Sequence, residues 1–195
     1  MVVYPVLLAS SAYVVVELTD SIIKLLVWAL PAVMAIRRYR GDIRIGAREM
    51  LITKPKWGKS VIALLLEVLI LLLEALILHG EIKVRPDFIP ATLIGGVAFV
   101  GITEEVLFRG FLLNAMLKKL KLWPAVMINA ALFALIHCPG YISQGLDLPT
   151  IFVSSITALI PISIFFAFSF IKTRNILIPI VFHMTWNLLS MLFVI

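Results

Sequence analysis

The sequence predicts an all-α fold, a polytopic transmembrane helical bundle of about six spans. Three observations carry this. Of 195 residues, 62% are hydrophobic and the mean hydropathy is +1.10, against about 45–50% apolar in an ordinary soluble domain. The apolar residues gather in runs close to the ~20 that a helix needs to cross a bilayer. The runs are continuous and lack the dyad alternation of a membrane β-barrel. No polar stretch is long enough for a separate soluble domain, so residues 1–195 are read as a single integral membrane domain.

The spans follow in order. Val2–Ile36 is about 50 Å long if fully helical, too long for one straight crossing. It is counted as one span that extends past the membrane, tilts, or breaks near Thr19-Asp20-Ser21. Val61–His79 is apolar except for Glu67 and Glu74. Phe88–Leu117 carries two more glutamates, and Trp123–Gly140, Ile151–Ile171 and Ile176–Ile195 complete the set. Pro90 and Pro124 open spans, where a missing N–H costs little. Pro161 and Pro179 fall inside spans and are expected to kink them.

Charge orients the spans. The net charge of +6 is concentrated in loops, with eight Lys and Arg between Arg37 and Lys59. Segment 118–122 carries three and the turn after the fifth span two, against two in loop 80–87 and none in loop 141–150. The positive-inside rule puts loop 37–60 in the cytoplasm of a cell-membrane protein. Its basic residues meet anionic headgroups rather than nucleic acid. The first basic residue is Lys24, so no signal-peptide n-region is expected. Cys138 is the only cysteine, which excludes an internal disulfide. Its neighbour His137 points about 100° away on a helix, so Cys138 reads as a packing residue rather than a nucleophile.

Glu104, Glu105 and Arg109 lie within six residues of one apolar run. Each charge at a bilayer centre costs roughly 2.5–3.5 kcal/mol on insertion scales, so such residues face a bundle interior or a wet cavity. Glu105 and Arg109 are i,i+4 and can share a helix face, whereas Glu104 lies about 100° from Glu105. The pair Glu105–Arg109 is thus read as electrostatic support, and Glu104 as the carboxylate left to bind or deprotonate a water. His183 and Asn187 are also i,i+4, and His137 ends its own span. Glu104 stands 14 residues before Lys118, His137 14 after Trp123, and Asn187 13 after Arg174. Each is about 20 Å of helix from a basic end. Residues from three spans are therefore expected in one layer, converging on one site. Asp20 and Lys24 are expected to pair at i,i+4, and Glu67 and Glu74, seven apart, to share a face.

These residues carry a resemblance. Glu104-Glu105-x-x-x-Arg109, Phe133-x-x-x-His137 and His183-x-x-x-Asn187 stand intact and in order. The chain resembles the CAAX-type prenyl-protease and bacteriocin-processing superfamily of intramembrane proteases over roughly Pro90 to Leu189. The turn Lys172-Thr173-Arg174-Asn175 before Ile176-Leu177-Ile178-Pro179 also resembles the lead into that family's last motif. The resemblance implies hydrolysis of a peptide bond in a membrane-associated peptide or protein, lipidated ones included. It implies a catalytic core at about 88–195. Glu104 and His137 would activate a water, His183 and Asn187 would stabilise the oxyanion, and Glu105 and Arg109 would hold them in place.

No metal is favoured, since the His-Glu-x-x-His zinc helix is absent. A zinc ion held by Glu104, His137 and His183 is the alternative cofactor reading. Two other functions compete. One is a catalytically silent immunity or scaffold protein that binds a peptide in the same cavity, which the intact motifs disfavour. The other is a transporter using the glutamates as a proton relay, which the lack of internal repeats disfavours.

Overall fold

The computed structural model describes residues 3–55, 57–86, 88 and 90–194, with the backbone alone for 3–13, 90 and 91. Val2, Ile195 and Lys56, which bound or populate expected segments, lie outside the described residues. The protein is an all-helical, multi-pass membrane protein. Among the described residues, four helices are long and apolar enough to span a bilayer: Val14–Arg38, Trp57–His79, Leu122–Ser143 and Leu148–Thr173, with Leu177–Leu192 a shorter apolar helix. The segment with Glu104, Glu105 and Arg109 is helical from Ile94 to Lys119.

The first segment does not break at Thr19-Asp20-Ser21. Helix α1 (Val3–Lys24) runs through it, a π-helical stretch Leu25–Ala29 follows, and α2 (Leu30–Arg38) continues. Asp20 and Lys24 form their ion pair at 2.7 Å across one turn of α1. After α3 (Ala47–Ile52) comes α4 (Trp57–His79). Its buried residues Ser60, Glu67, Leu71 and Ala75 fall on one stripe, at spacings that return to one helix face. Pro90–Leu93 forms a 3₁₀ turn, Ile94–Phe99 is π-helical, and α5 (Val100–Glu105) follows.

Residues 106–113 are π-helical again, then come α6 (Asn114–Lys119), α7 (Leu122–Leu135), α8 (Cys138–Ser143) and α9 (Leu148–Ser154). A π-helical stretch Ser155–Leu159 leads into α10 (Ile160–Thr173) and then α11 (Leu177–Leu192). Each π turn bonds i to i+5 and so inserts a residue into the helical register. Pro161 lies inside the continuous helix Leu148–Thr173, just after the π-helical stretch Ser155–Leu159 that interrupts its regular register. Pro179 instead falls in a first turn, because α11 opens at Leu177. Its missing N–H would be unsatisfied there anyway, so it does not kink the span from within.

The chain forms two compact units. The first comprises residues 1–31, 56–105 and 180–195, and the second residues 32–55 and 106–179. In the first, α1 packs against Ile94–Phe99 and α5. Two glycines permit close approach. A Cβ on Gly95 would overlap the Glu17 carboxylate of α1, and one on Gly101 would stand 2.8 Å from Met184 Cγ of α11. Loop residues close the other end of the unit, where Arg85 N donates to Leu192 O at 2.8 Å and Arg85 Nε to Phe193 O at 2.9 Å.

In the second unit, α7 packs along α10 and against Val106–Leu113. Phe108, Phe133, Ala134 and Leu159 form its buried centre, with the rings of Phe108 and Phe133 edge-on at 5.2 Å. Buried asparagines satisfy buried backbone groups. Asn114 accepts from Ile45 N and donates to Ile45 O, both at 2.7 Å, and Asn129 donates to Phe108 O at 2.9 Å. At the end of α10, Arg174 takes a left-handed conformation (φ 54°) and donates its N–H to Phe170 O. Its guanidinium pairs with Glu49 of α3.

Candidate active site

The first unit brings Glu104, Glu105 and His183 together. Glu104 and Glu105 end α5, and His183 lies on α11; all three are at most 3% exposed. His183 Nδ1 lies 2.8 Å from Glu105 Oε1, and its Nε2 faces Glu104 Oε2 at 3.8 Å. The first distance is a charge-assisted hydrogen bond; the second is too long for one. A carboxylate only accepts, so Glu105 fixes Nδ1 of His183 as a donor. In its neutral form the ring then presents a lone pair at Nε2 to Glu104, and in its protonated form an N–H.

Asn187 follows one turn along α11. Its Nδ2 donates to Gly96 O at 2.9 Å. An amide nitrogen carries two N–H groups, so this bond orients Asn187 and leaves a second donor on the same atom. Gly96 itself lacks a Cβ where one would meet Met191 Cε at 2.6 Å, which lets α11 approach the π-helical stretch that offers this carbonyl.

Arg109 and His137 belong to the second unit. Arg109 is fully buried, and its Nη2 donates to Ser163 Oγ at 2.7 Å and to Ser163 O at 3.0 Å. Its guanidinium carbon stands 4.7 Å from the centre of the Phe133 ring and 5.4 Å from that of Phe166, within cation–π range. Arg109 stands within Val106–Leu113, which is π-helical. His137, at the end of α7, puts Nδ1 2.8 Å from Phe133 O and its ring 4.9 Å from the Phe133 ring. A carbonyl only accepts, so Nδ1 carries the proton and Nε2 the lone pair of the neutral imidazole. Cys138 packs with its Sγ 3.7 Å from Ala134 O.

Sequence reasoning did not single out Ser163, Phe166 or Gly96. Ser163 left a weak signal, a lone hydroxyl between isoleucines of an apolar span. Phe166 and Gly96 left none.

Residues 86–189, more than half of the chain, match the family model of the Rce1-like type II CAAX prenyl endopeptidases. The protein belongs to this Rce1-like family. The match covers Glu104 through Asn187 and begins beyond α4. No curated protein and no solved structure matches the chain. Rce1-like membership makes this multi-pass protein a CAAX-type membrane endopeptidase in general terms. As regards zinc, a His that donates one nitrogen to a carboxylate is the usual support for a metal-ligating imidazole, and His183 with Glu105 has that form. Among the described residues, however, no group of three His, Cys, Asp or Glu has the geometry of a metal site. Glu104 and His183 of the first unit would supply two ligands of a zinc shell, and the third candidate, His137, belongs to the second unit.

Proposed function

We propose that this Rce1-like protein is a glutamate-type intramembrane endopeptidase acting on a membrane-associated, lipidated peptide or protein, with its catalytic core at about 88–195. Glu104 is the general base. It takes a proton from a water whose oxygen attacks the scissile carbonyl carbon, and His137 shares the activation of that water through its Nε2 lone pair. The carbonyl π electrons move onto oxygen. Asn187, through its second amide N–H, and His183, protonated at Nε2, donate to that oxyanion. Collapse of the intermediate breaks the C–N bond, and the proton held by Glu104 passes to the leaving amine. Glu105 and Arg109 are positioning residues.

The observation that carries this reading is the placement of His183 between two buried carboxylates, at 2.8 Å from Glu105 and 3.8 Å from Glu104. Burying two carboxylates beside one imidazole in a membrane helix pair is expensive as packing. It is what acid–base chemistry in a dry site requires. The basic loop 37–60 faces the cytoplasm on this reading, by the positive-inside rule.

The test is cleavage of a farnesylated peptide library by the purified protein in proteoliposomes, with elemental analysis of the same preparation. Peptide hydrolysis without stoichiometric metal is expected. Stoichiometric zinc with loss of activity on chelation would replace Glu104 as base by a zinc-held water. Tight peptide binding with no hydrolysis would make the protein a scaffold.

A further inference from the structure

The second unit contains a cavity of about 140 Å³ whose lining includes Val33, Ile36 and Arg37 of α2, Met50 and Leu51 of α3, and Ile176. Every lining side chain except Arg37 is apolar. Ile36, Met50 and Ile176 form a buried floor, while Leu51 is 63% exposed and Arg37 is exposed at the rim. Val33, Ile36 and Arg37 share one face of α2. Arg37 stands one residue from the end of the Val14–Arg38 span, where a membrane helix meets the headgroup layer.

An apolar cavity of this size stays dry and accepts a benzene-sized group. In a bilayer, the apolar groups within reach are acyl chains. The surrounding segment is cationic. Arg37, Arg38, Arg40, Arg44 and Arg48 form no ion pair among the described residues. Of the two acids nearby, Glu49 is taken by Arg174, which leaves Asp42 against five arginines. An apolar floor under a cationic rim is complementary to an anionic amphiphile.

We propose that this cavity is a specific site for an anionic membrane phospholipid, with an acyl chain entering between α2 and α3 and the headgroup phosphate on Arg37. A zwitterionic lipid supplies the chain without the net charge, and free phosphate supplies the charge without the chain. The site is independent of the proteolytic assignment and stands whether or not Glu104 is the base.

The experiment is photocrosslinking of the full chain in nanodiscs, using trace phosphatidylglycerol or phosphatidylcholine with a diazirine on the acyl chain a few carbons from the glycerol, followed by peptide mapping. Phosphatidylglycerol is expected to label Val33, Ile36 or Met50 roughly five-fold more than phosphatidylcholine, the selectivity that about one cation near an anionic surface supplies. Arg37→Gln brings the two lipids to parity. Ala47→Leu, which fills the cavity, lowers labelling by both and leaves the exposed Leu65 and Ile70 of α4 labelled as before. If the thermal midpoint shows that Ala47→Leu has unfolded the protein, Arg37→Gln at its exposed position carries the test. Equal labelling by both lipids in the wild type overturns the charge assignment. Labelling no stronger than at Leu65 and Ile70 means annular lipid only and overturns the site. Competition by a farnesylated peptide, with none by unlabelled phosphatidylglycerol, gives the cavity to substrate.

Discussion

His183 is held from one side, with its Nδ1 2.8 Å from Glu105 Oε1, and turns its Nε2 toward Glu104 Oε2 at 3.8 Å. Adjacent residues leave a helix about 100° apart, and one imidazole bridges that angle at the end of α5. Two neighbouring glutamates thereby acquire different surroundings. Glu105 accepts a short hydrogen bond, and Glu104 faces the other ring nitrogen at a distance too long for one.

Glu105→Gln tests the first half of that relationship. The amide keeps the shape but can offer an N–H to His183 Nδ1, which reverses the donor and reassigns the tautomer. Turnover is expected to fall by about 10²–10⁴-fold, as when an acid–base residue is misplaced, with KM little changed and the protein still folded. Wild-type kcat in this variant would remove Glu105 from the machinery.

Gly101→Ala should separate α5 from α11. The added Cβ would lie 2.8 Å from Met184 Cγ, an atom near the backbone rather than at the far end of a flexible side chain. Overpacking of this kind costs about 1–3 kcal/mol, and Met184 adjoins His183. A lower thermal midpoint and a loss of activity are expected together. Gly96→Ala should be milder, because its Cβ would meet the flexible end of Met191.

Arg109→Ala should weaken the fold before the chemistry. It deletes the two hydrogen bonds to Ser163 and the contacts with Phe133 and Phe166. Large-to-small changes in such packing cost about 2–5 kcal/mol. Arg109→Lys should rescue little, since an ammonium lacks the planar fork and stacks poorly. Expression yield and thermal midpoint of the two variants check this.

The Glu49–Arg174 pair gives a pH dependence. Its hydrogen bond to Arg174 holds the Glu49 carboxyl below the ordinary glutamate value of about 4.5. A folded-state value below the unfolded one stabilises fully above about pH 4.5 and is lost as pH falls through the folded value. Both side chains are substantially exposed, at 44% and 39%, so the contribution is at most about 1 kcal/mol. Glu49→Gln should lower the thermal midpoint slightly at pH 7, and the difference should diminish as the pH falls through the folded value and in high salt.

The sequence exposed the parts of this molecule that stand out against apolar surroundings. Glu104, Glu105, Arg109, His137, His183 and Asn187 are visible as polar residues in membrane runs, and the Asp20–Lys24 pair follows from local helical spacing. The Glu105–His183 contact spans 78 residues and left no local trace. The π turns were invisible too, because one extra residue per turn changes no composition. Pro179 was misjudged because the sequence opened its span at Ile176 without marking where the helix begins. Asn175, whose Oδ1 accepts from Leu177 N at 2.7 Å, sets that start.

The most direct measurement is the rate at which Glu104→Gln cleaves a farnesylated peptide already shown to be cut by the wild type in proteoliposomes. The substitution preserves shape and hydrogen-bonding bulk and removes only the base. The account predicts a fall of about 10²–10⁴-fold in a variant whose thermal midpoint matches that of the wild type. Cleavage at the wild-type rate would contradict glutamate catalysis at Glu104.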